Sequence, residues 1–211
     1  LRASAGQVLL DGEDISPLPA PLRTRKGLGR AFQLTQLFPT LTVQENVRLA
    51  VQAREQGRRA GWRRLGQDLL SVWRDQRAWI EEADALLAQV HLDVRHDLPA
   101  AMLPHGDQRK LEVALLMALD PKVYLFDEPT AGMSVDDAPV VLDLIRALKA
   151  RRDRTILLVE HKMDVVHELS DRIVVLHQGA LVADGDPALV MASEIVQQAY
   201  LGLAPPQEGA A

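Results

Sequence analysis

Apolar and polar positions along the chain change period several times, and each change predicts an element. Val8, Leu9 and Leu10 followed by Asp11-Gly12 predict a strand, a tight turn and a return strand over residues 6–15. Prolines at 17, 19 and 21 make residues 16–30 turn-rich, with a short basic helical piece over "LRTRKGLGR". "AFQLTQLFPTLTVQENVRLAV" begins extended and turns at Phe38-Pro39. Thr42, with Glu45 three residues on, predicts a capping box that opens a helix. Leu65, Leu69 and Trp73 recur at helical spacing, and Leu86, Leu87 and Val90 mark a further helix from Glu81 to His91.

The second half alternates cleanly. A helix over "DQRKLEVALLMAL" starts at Gly106 and stops before Pro121. Val123 to Phe126 is a continuous apolar run of the kind found in parallel strands covered on both faces. Residues 137–152 form a helix, "TILLVE" a second buried strand, and 162–169 another helix. "RIVVLHQGALVADG" reads as strand, turn at Gln178-Gly179, strand. Alternation of this sort predicts an α/β fold with a mostly parallel sheet. The tail from 204 to 211 has the composition of a disordered segment.

Composition narrows the function classes. The 211 residues are enough to bury a sizeable core, and 47% hydrophobic with 25% charged residues is ordinary for a globular protein. A net charge of −5 argues against a dedicated nucleic-acid binder. With no cysteine, thiolate metal sites, disulfides and cysteine nucleophiles are excluded. No apolar run reaches the roughly 18 residues that a membrane span needs. The opening "LRASAGQVLLDGEDI" has no initiator methionine and enters a hairpin almost at once, so the sequence is expected to be a fragment.

Chemistry concentrates at strand ends. Asp127 and Glu128 close the apolar run "VYLFDE", the edge at which open α/β sheets bind ligands. One carboxylate there can serve a magnesium ion, and its neighbour can orient or deprotonate a water. In isolation the pair would equally serve to cap the next turn. About twenty residues upstream, "LPHGDQ" opens a helix whose free N–H groups can face an anion. Glu160-His161 ends the strand "TILLVE", and Gln33 ends the extended segment "RAFQ".

Together these elements resemble the nucleotide-binding domain of ATP-binding cassette (ABC) transporters. Gln33 falls at the Q-loop glutamine, "LPHGDQ" (103–108) at the signature motif, "VYLFDE" at Walker B, "AGMSVDD" at the D-loop and His161 at the switch histidine. "AFQLTQLFPTLTVQENVRLA", "LPHGDQRKLEVA" and "DEPTAGM" are similar to the ATPase subunits of branched-chain amino-acid importers, with the urea and amide importers also similar. The resemblance implies a P-loop NTPase-like domain over 1–203, with a small antiparallel β part and a helical subdomain at about 42–120.

By that resemblance ATP and Mg²⁺ are bound. Asp127 and Gln33 serve the metal, Glu128 polarises the attacking water, and His161 contacts the γ-phosphate. Pro104, His105, Gly106, Asp107, Gln108 and Ser134 face the nucleotide of a second cassette. The implied partners are that second ATPase subunit, transmembrane permease subunits and, indirectly, a solute-binding protein. Nucleic acid is not expected among them. The implied place is peripheral, at the cytoplasmic face of the membrane. A soluble non-transport cassette, or a non-catalytic remnant lending its signature helix to a partner, are the alternatives.

Three departures stand out. No G-x-x-x-x-G-K-[ST] occurs, and "RKGLGR" has neither its spacing nor the Lys-Ser/Thr ending. In the family this Walker A loop, with its strand and helix, lies ahead of the point where this chain opens. Without the loop's nested N–H groups the polypeptide as it stands is expected to bind ATP poorly. Pro104 stands where most cassettes have a serine, and Ser134 where they have the D-loop aspartate, with Asp136 and Asp137 available to cap the next helix. Finally, residues 54–78 carry seven arginines and two of the three tryptophans, which suits either a solvated helical subdomain or contact with membrane partners.

Overall fold

In a computed structural model the described residues are 3–31, 37–58 and 69–201. The chain divides into two compact units, Leu1–Val159 and Glu160–Ala211.

The first unit opens with a short hairpin, β1 (Leu9–Leu10) and β2 (Glu13–Asp14), joined by Asp11 at φ 51° and Gly12 at φ 80°. Two successive left-handed residues are what a two-residue hairpin turn needs. Helix α1 (Ala20–Lys26) ends at Gly27, whose φ of 106° lets its N–H reach the carbonyls of Arg23 and Thr24. The chain then enters β3 (Leu28–Ala31), so "LRTRKGLGR" is half helix and half strand rather than helical throughout. Gly29 permits the close approach of this strand: a Cβ there would lie 2.6 Å from Leu116 Cδ1 and Pro121 Cγ.

Helix α2 (Val43–Arg58) begins at the expected capping box, with Glu45 N–H donating to Thr42 Oγ1 (3.1 Å) and Thr42 N–H to Glu45 Oε2 (2.8 Å). Residues 59–68, including Leu65, lie outside the described residues. Helix α3 (Leu69–Gln89) is one long element where the apolar spacing separated a helix at Glu81. The reason is permissive: no glycine or proline interrupts 69–89, so polar residues continue the helix without breaking its hydrogen bonds.

Helix α4 (His105–Leu119) follows and ends at Asp120 in the left-handed conformation, just before Pro121. Strand β4 (Val123–Asp127), helix α5 (Ala138–Ala150) and strand β5 (Thr155–Val159) complete the unit. The sheet order is β3-β4-β5, all parallel, with Ala31 opposite Phe126 and Asp127 opposite Val159.

Two expectations about burial are corrected. Along β4 only Tyr124 and Phe126 are fully buried, while Val123, Leu125 and Asp127 are half-buried. On β5, Leu157 and Val159 are more than half exposed, at 55% and 53%. Among the described residues β5 pairs only with β4, so it is an edge strand with one face toward the core. Apolar continuity in sequence therefore overstated the cover on both strands.

The Tyr124 and Phe126 rings stack at 6.1 Å on the inward face of β4. The Tyr124 hydroxyl donates to Asp120 Oδ1 at 3.3 Å, and Arg154 Nη2 donates to both oxygens of the same carboxylate at 3.1 and 3.0 Å. Burial, reinforced by the charge of Asp120, pushes the Tyr124 phenol up to about 12, with Arg151 and Arg154 opposing. A raised folded-state pKa favours the protonated form. Its contribution is complete below the unfolded value of about 10 and is lost as pH rises toward 12. Stability should therefore fall in that window by up to about 1.4 kcal/mol per pH unit from this group. Urea melts across the window check this, and Tyr124→Phe should remove that part of the slope.

The second unit carries helix α6 (Met163–Leu169), the antiparallel strands β6 (Ile173–His177) and β7 (Ala180–Gly185), and helices α7 (Pro187–Met191) and α8 (Glu194–Leu201). Gln178 at φ 49° and Gly179 at φ 80° make the turn the sequence indicated. Ile173, Val175, Val190 and Val196 form its buried core. The tail at 204–211 lies outside the described residues.

Candidate functional site

Parallel pairing brings the carboxyl ends of β3, β4 and β5 to one edge of the sheet, which places Asp127 at the mouth of the central strand. Asp127 is the last residue of β4, and its Oδ2 accepts from Arg30 Nη2 at 2.8 Å. Arg30 lies on the neighbouring strand β3, 97 residues away in sequence. The contact orients the carboxylate through one oxygen and leaves Oδ1 available.

Glu128 departs from the strand at φ 47°, in the left-handed region that a side chain with a Cβ seldom occupies. Its N–H donates to Val159 O at 2.9 Å, and its carbonyl accepts from Ala131 N–H at 3.0 Å. Two backbone hydrogen bonds on either side hold a strained residue in a tight turn through Pro129 and buried Thr130. Strain of this kind costs on the order of 1–3 kcal/mol and persists only where surrounding contacts over-determine it.

A second group gathers at the start of α4. Pro104 occupies the N-cap position with no side-chain capping bond, and its missing N–H costs nothing there. Pro104 and His105 are exposed, Gly106 and Gln108 half-buried. Gln108 Nε2 donates to Leu103 O at 2.9 Å and its N–H to Pro104 O at 3.0 Å, which sets the first turn. Asp107 is turned inward, 8% exposed, and pairs with Arg95 and with Lys110 Nζ at 3.0 Å. Its carboxylate is committed to those cations, so the outward surface here is backbone and the side chains of 104, 105 and 108.

Lys110 also pairs with Asp137, at the N-cap of α5. Ser134 Oγ donates to Asp137 Oδ2 at 2.7 Å and accepts from Asp137 N–H at 3.1 Å. The side-chain capping expected of Asp136 or Asp137 is not made: Asp137 is the N-cap residue of α5 without a side-chain capping bond, its carboxylate drawn instead to Lys110 and Ser134. That hydrogen bond to Lys110, with a second from Ser134, holds the Asp137 carboxyl below the ordinary aspartate range. Burial pulls the Lys110 ammonium down, but its hydrogen bonds to Asp137 and Asp107 outweigh that and leave it above the ordinary lysine value.

Gln33 lies outside the described residues. The chain from Phe38 onward is held firmly: Asn46, 1% exposed, donates from Nδ2 to the carbonyls of Phe38, Leu41 and Thr42 and accepts from Phe38 N–H at 2.9 Å. In the second unit His161 is exposed, and its N–H donates at 3.1 Å to the carboxylate of Glu160, whose side chain is 1% exposed. His161 thus sits on a turn fastened by its buried neighbour.

Arg30, Asn46 and Lys110 each hold a candidate residue or segment in place and were missed in the sequence, whereas Glu160 was placed at its strand end without its role as the fastening of His161. Only Asn46 had a usable local signal, a polar residue on the apolar stripe of a helix.

The donor chemistry suits a hard cation. Asp127 offers a carboxylate oxygen beyond the one that Arg30 engages, and no cluster of three acidic, histidine or cysteine side chains that could hold a metal exists among the described residues. Mg²⁺ is commonly held by one or two carboxylates together with substrate phosphates and water, so the residues present fit it.

The chain belongs to the ABC transporter family, whose pattern matches residues 1–131. Members of this family hydrolyse ATP. The chain is 35% identical over 208 residues to the high-affinity branched-chain amino acid transport ATP-binding protein BraF of Pseudomonas aeruginosa, covering 95% of this chain and 78% of that protein. It is 34% identical over 204 residues to LivG of Escherichia coli, a protein of the same description, with the same coverage. Among solved structures, a dimeric ATP-binding cassette in a post-hydrolysis state with ADP and Pi superposes with a TM-score of 0.70 at 22% identity, over 87% of this chain and 74% of that one. That likeness shows the fold.

Proposed function

We propose that this chain is the ATP-hydrolysing subunit of an importer for branched-chain or other hydrophobic amino acids. It would work as one of two cassettes bound beneath transmembrane permease subunits at the cytoplasmic face. Similarity to BraF and LivG along 95% of the chain supports the solute class. No helix of the described residues is long and apolar enough to cross a membrane, which suits a peripheral subunit. We assign residues 1–203 to one ATPase domain, with a helical subdomain at about 42–120 that includes α2, α3 and α4.

One observation carries the chemistry: Asp127 and Glu128 stand adjacent at the carboxyl end of the central parallel strand, the second in an over-determined left-handed turn. Bound Mg²⁺ would supply charge neutralisation between the phosphate oxygens. Asp127, held by Arg30, and Gln33 would bind it. Glu128, swung off the strand axis by its backbone, would accept a proton from the water that attacks the γ-phosphorus. The bond from that phosphorus to the bridging oxygen breaks, releasing ADP and inorganic phosphate. Place in the motif order gives His161 its contact with the γ-phosphate. The segment 104–108 and Ser134 would meet the nucleotide held by the second cassette.

Reconstitution of the intact gene product with its permease subunits in proteoliposomes tests this. A binding protein loaded with leucine or isoleucine should raise ATP turnover and drive uptake that stops when ATP is withdrawn. Turnover indifferent to amino acids would overturn the solute class, and no turnover at all would overturn the ATPase reading.

A further inference from the structure

Lys110 is 6% exposed and lies between two carboxylates from different elements, Asp107 one turn earlier on α4 and Asp137 at the start of α5. Asp107 also takes Arg95, and Asp137 also takes Ser134. The charges balance, two cations against two carboxylates, with Lys110 and Asp107 buried and Arg95 and Asp137 partly exposed. The packing is close: a Cβ on Gly106 would lie 2.9 Å from Asp137 Oδ2, so the Asp137 carboxylate rests against the first turn of α4.

We infer that Lys110 is a positioning residue that latches Ser134–Asp137 to the start of α4, so that these two segments present one rigid surface to a second copy of the chain. The inference rests on the proposed two-cassette arrangement, in which both segments face the partner's nucleotide. Lys110 itself touches neither nucleotide nor metal. Its effect belongs to closure of the pair, whereas ATP first binds at the strand edge around Asp127. A residue that merely stabilises the fold would disturb both steps alike.

Lys110→Met leaves two carboxylates facing one another, Lys110→Arg keeps a cation between them, and Asp137→Asn removes one attachment from a partly exposed position where folding is little threatened. All three are made in the intact gene product carrying Glu128→Gln. Binding of a fluorescent ATP analogue to dilute monomer, and the ATP concentration that drives dimerisation, are both measured. Lys110→Met and Asp137→Asn should raise the dimerisation midpoint about tenfold, with monomer affinity unchanged and with Lys110→Arg restoring the midpoint. The double change should be no worse than Lys110→Met alone. An unchanged midpoint in Asp137→Asn, or equal losses in both measurements, overturns the latch. Failure of the parent Glu128→Gln protein to dimerise with ATP overturns the two-cassette reading instead.

Discussion

Glu128→Gln is expected to lower ATP turnover of the intact, assembled protein by about 10²- to 10⁴-fold, the range associated with loss of a positioned general base. The amide is isosteric with the carboxylate, so the turn that holds residue 128 should survive. Its two backbone hydrogen bonds, to Val159 O and from Ala131 N–H, involve no side-chain atom. What is lost is the ability to take a proton from water. ATP affinity should change little, since the γ-phosphate and metal contacts are assigned to other residues. Steady-state phosphate release measured beside equilibrium nucleotide binding separates the two. Turnover within a factor of about three of the wild-type value would remove Glu128 from the mechanism, because a bystander carboxylate on the surface carries so small an effect.

Phe126→Ala should be the most damaging single change to the fold near the site. Phe126 is 1% exposed, stacks on Tyr124, and stands one residue before Asp127 on the central strand. Truncating a buried phenylalanine to alanine costs about 3–5 kcal/mol, from lost burial and the cavity left behind. In a domain of this size each kcal/mol lowers the melting temperature by about 2–4 °C. Phe126→Leu, which keeps most of the volume, should cost less than about 2 kcal/mol. Urea unfolding of the three proteins checks the order. A loss below about 1 kcal/mol for the alanine variant would mean that the inward face of β4 is not the packed core described.

Features set by neighbours in the chain were legible in the sequence. The Thr42–Glu45 capping box, the Asp11-Gly12 and Gln178-Gly179 turns and the stop at Pro121 each depend on a few consecutive residues. Their chemistry permits little else. Asp127 and Glu128 were legible for a related reason: an apolar run that ends in two carboxylates leaves the carboxylates at a strand end.

The supports of the site were not legible. Arg30 meets Asp127 across 97 positions, and Lys110 meets Asp137 only because α4 and α5 pack start to start. A lysine inside "DQRKLE" looks like any helix-surface cation until the packing shows it 6% exposed. Inward rotation of Asp107 was hidden for the same reason. Its partners, Arg95 and Lys110, compete with the outward role that its place in the motif suggests. The cover on β5 was misjudged because an apolar run records what a strand could bury, while exposure depends on what pairs and packs beside it.

The position of the nucleotide decides between this mechanism and any other. A structure of the intact Glu128→Gln protein with ATP and Mg²⁺ measures it directly. The ion should lie beside Asp127 and Gln33, with the amide of residue 128 in hydrogen-bond reach of a water in line with the γ-phosphate and His161 touching that phosphate. The start of α4 from a second copy should close the far side. Nucleotide density away from the β4 edge, or an ion coordinated without Asp127 and its bound waters, would contradict it.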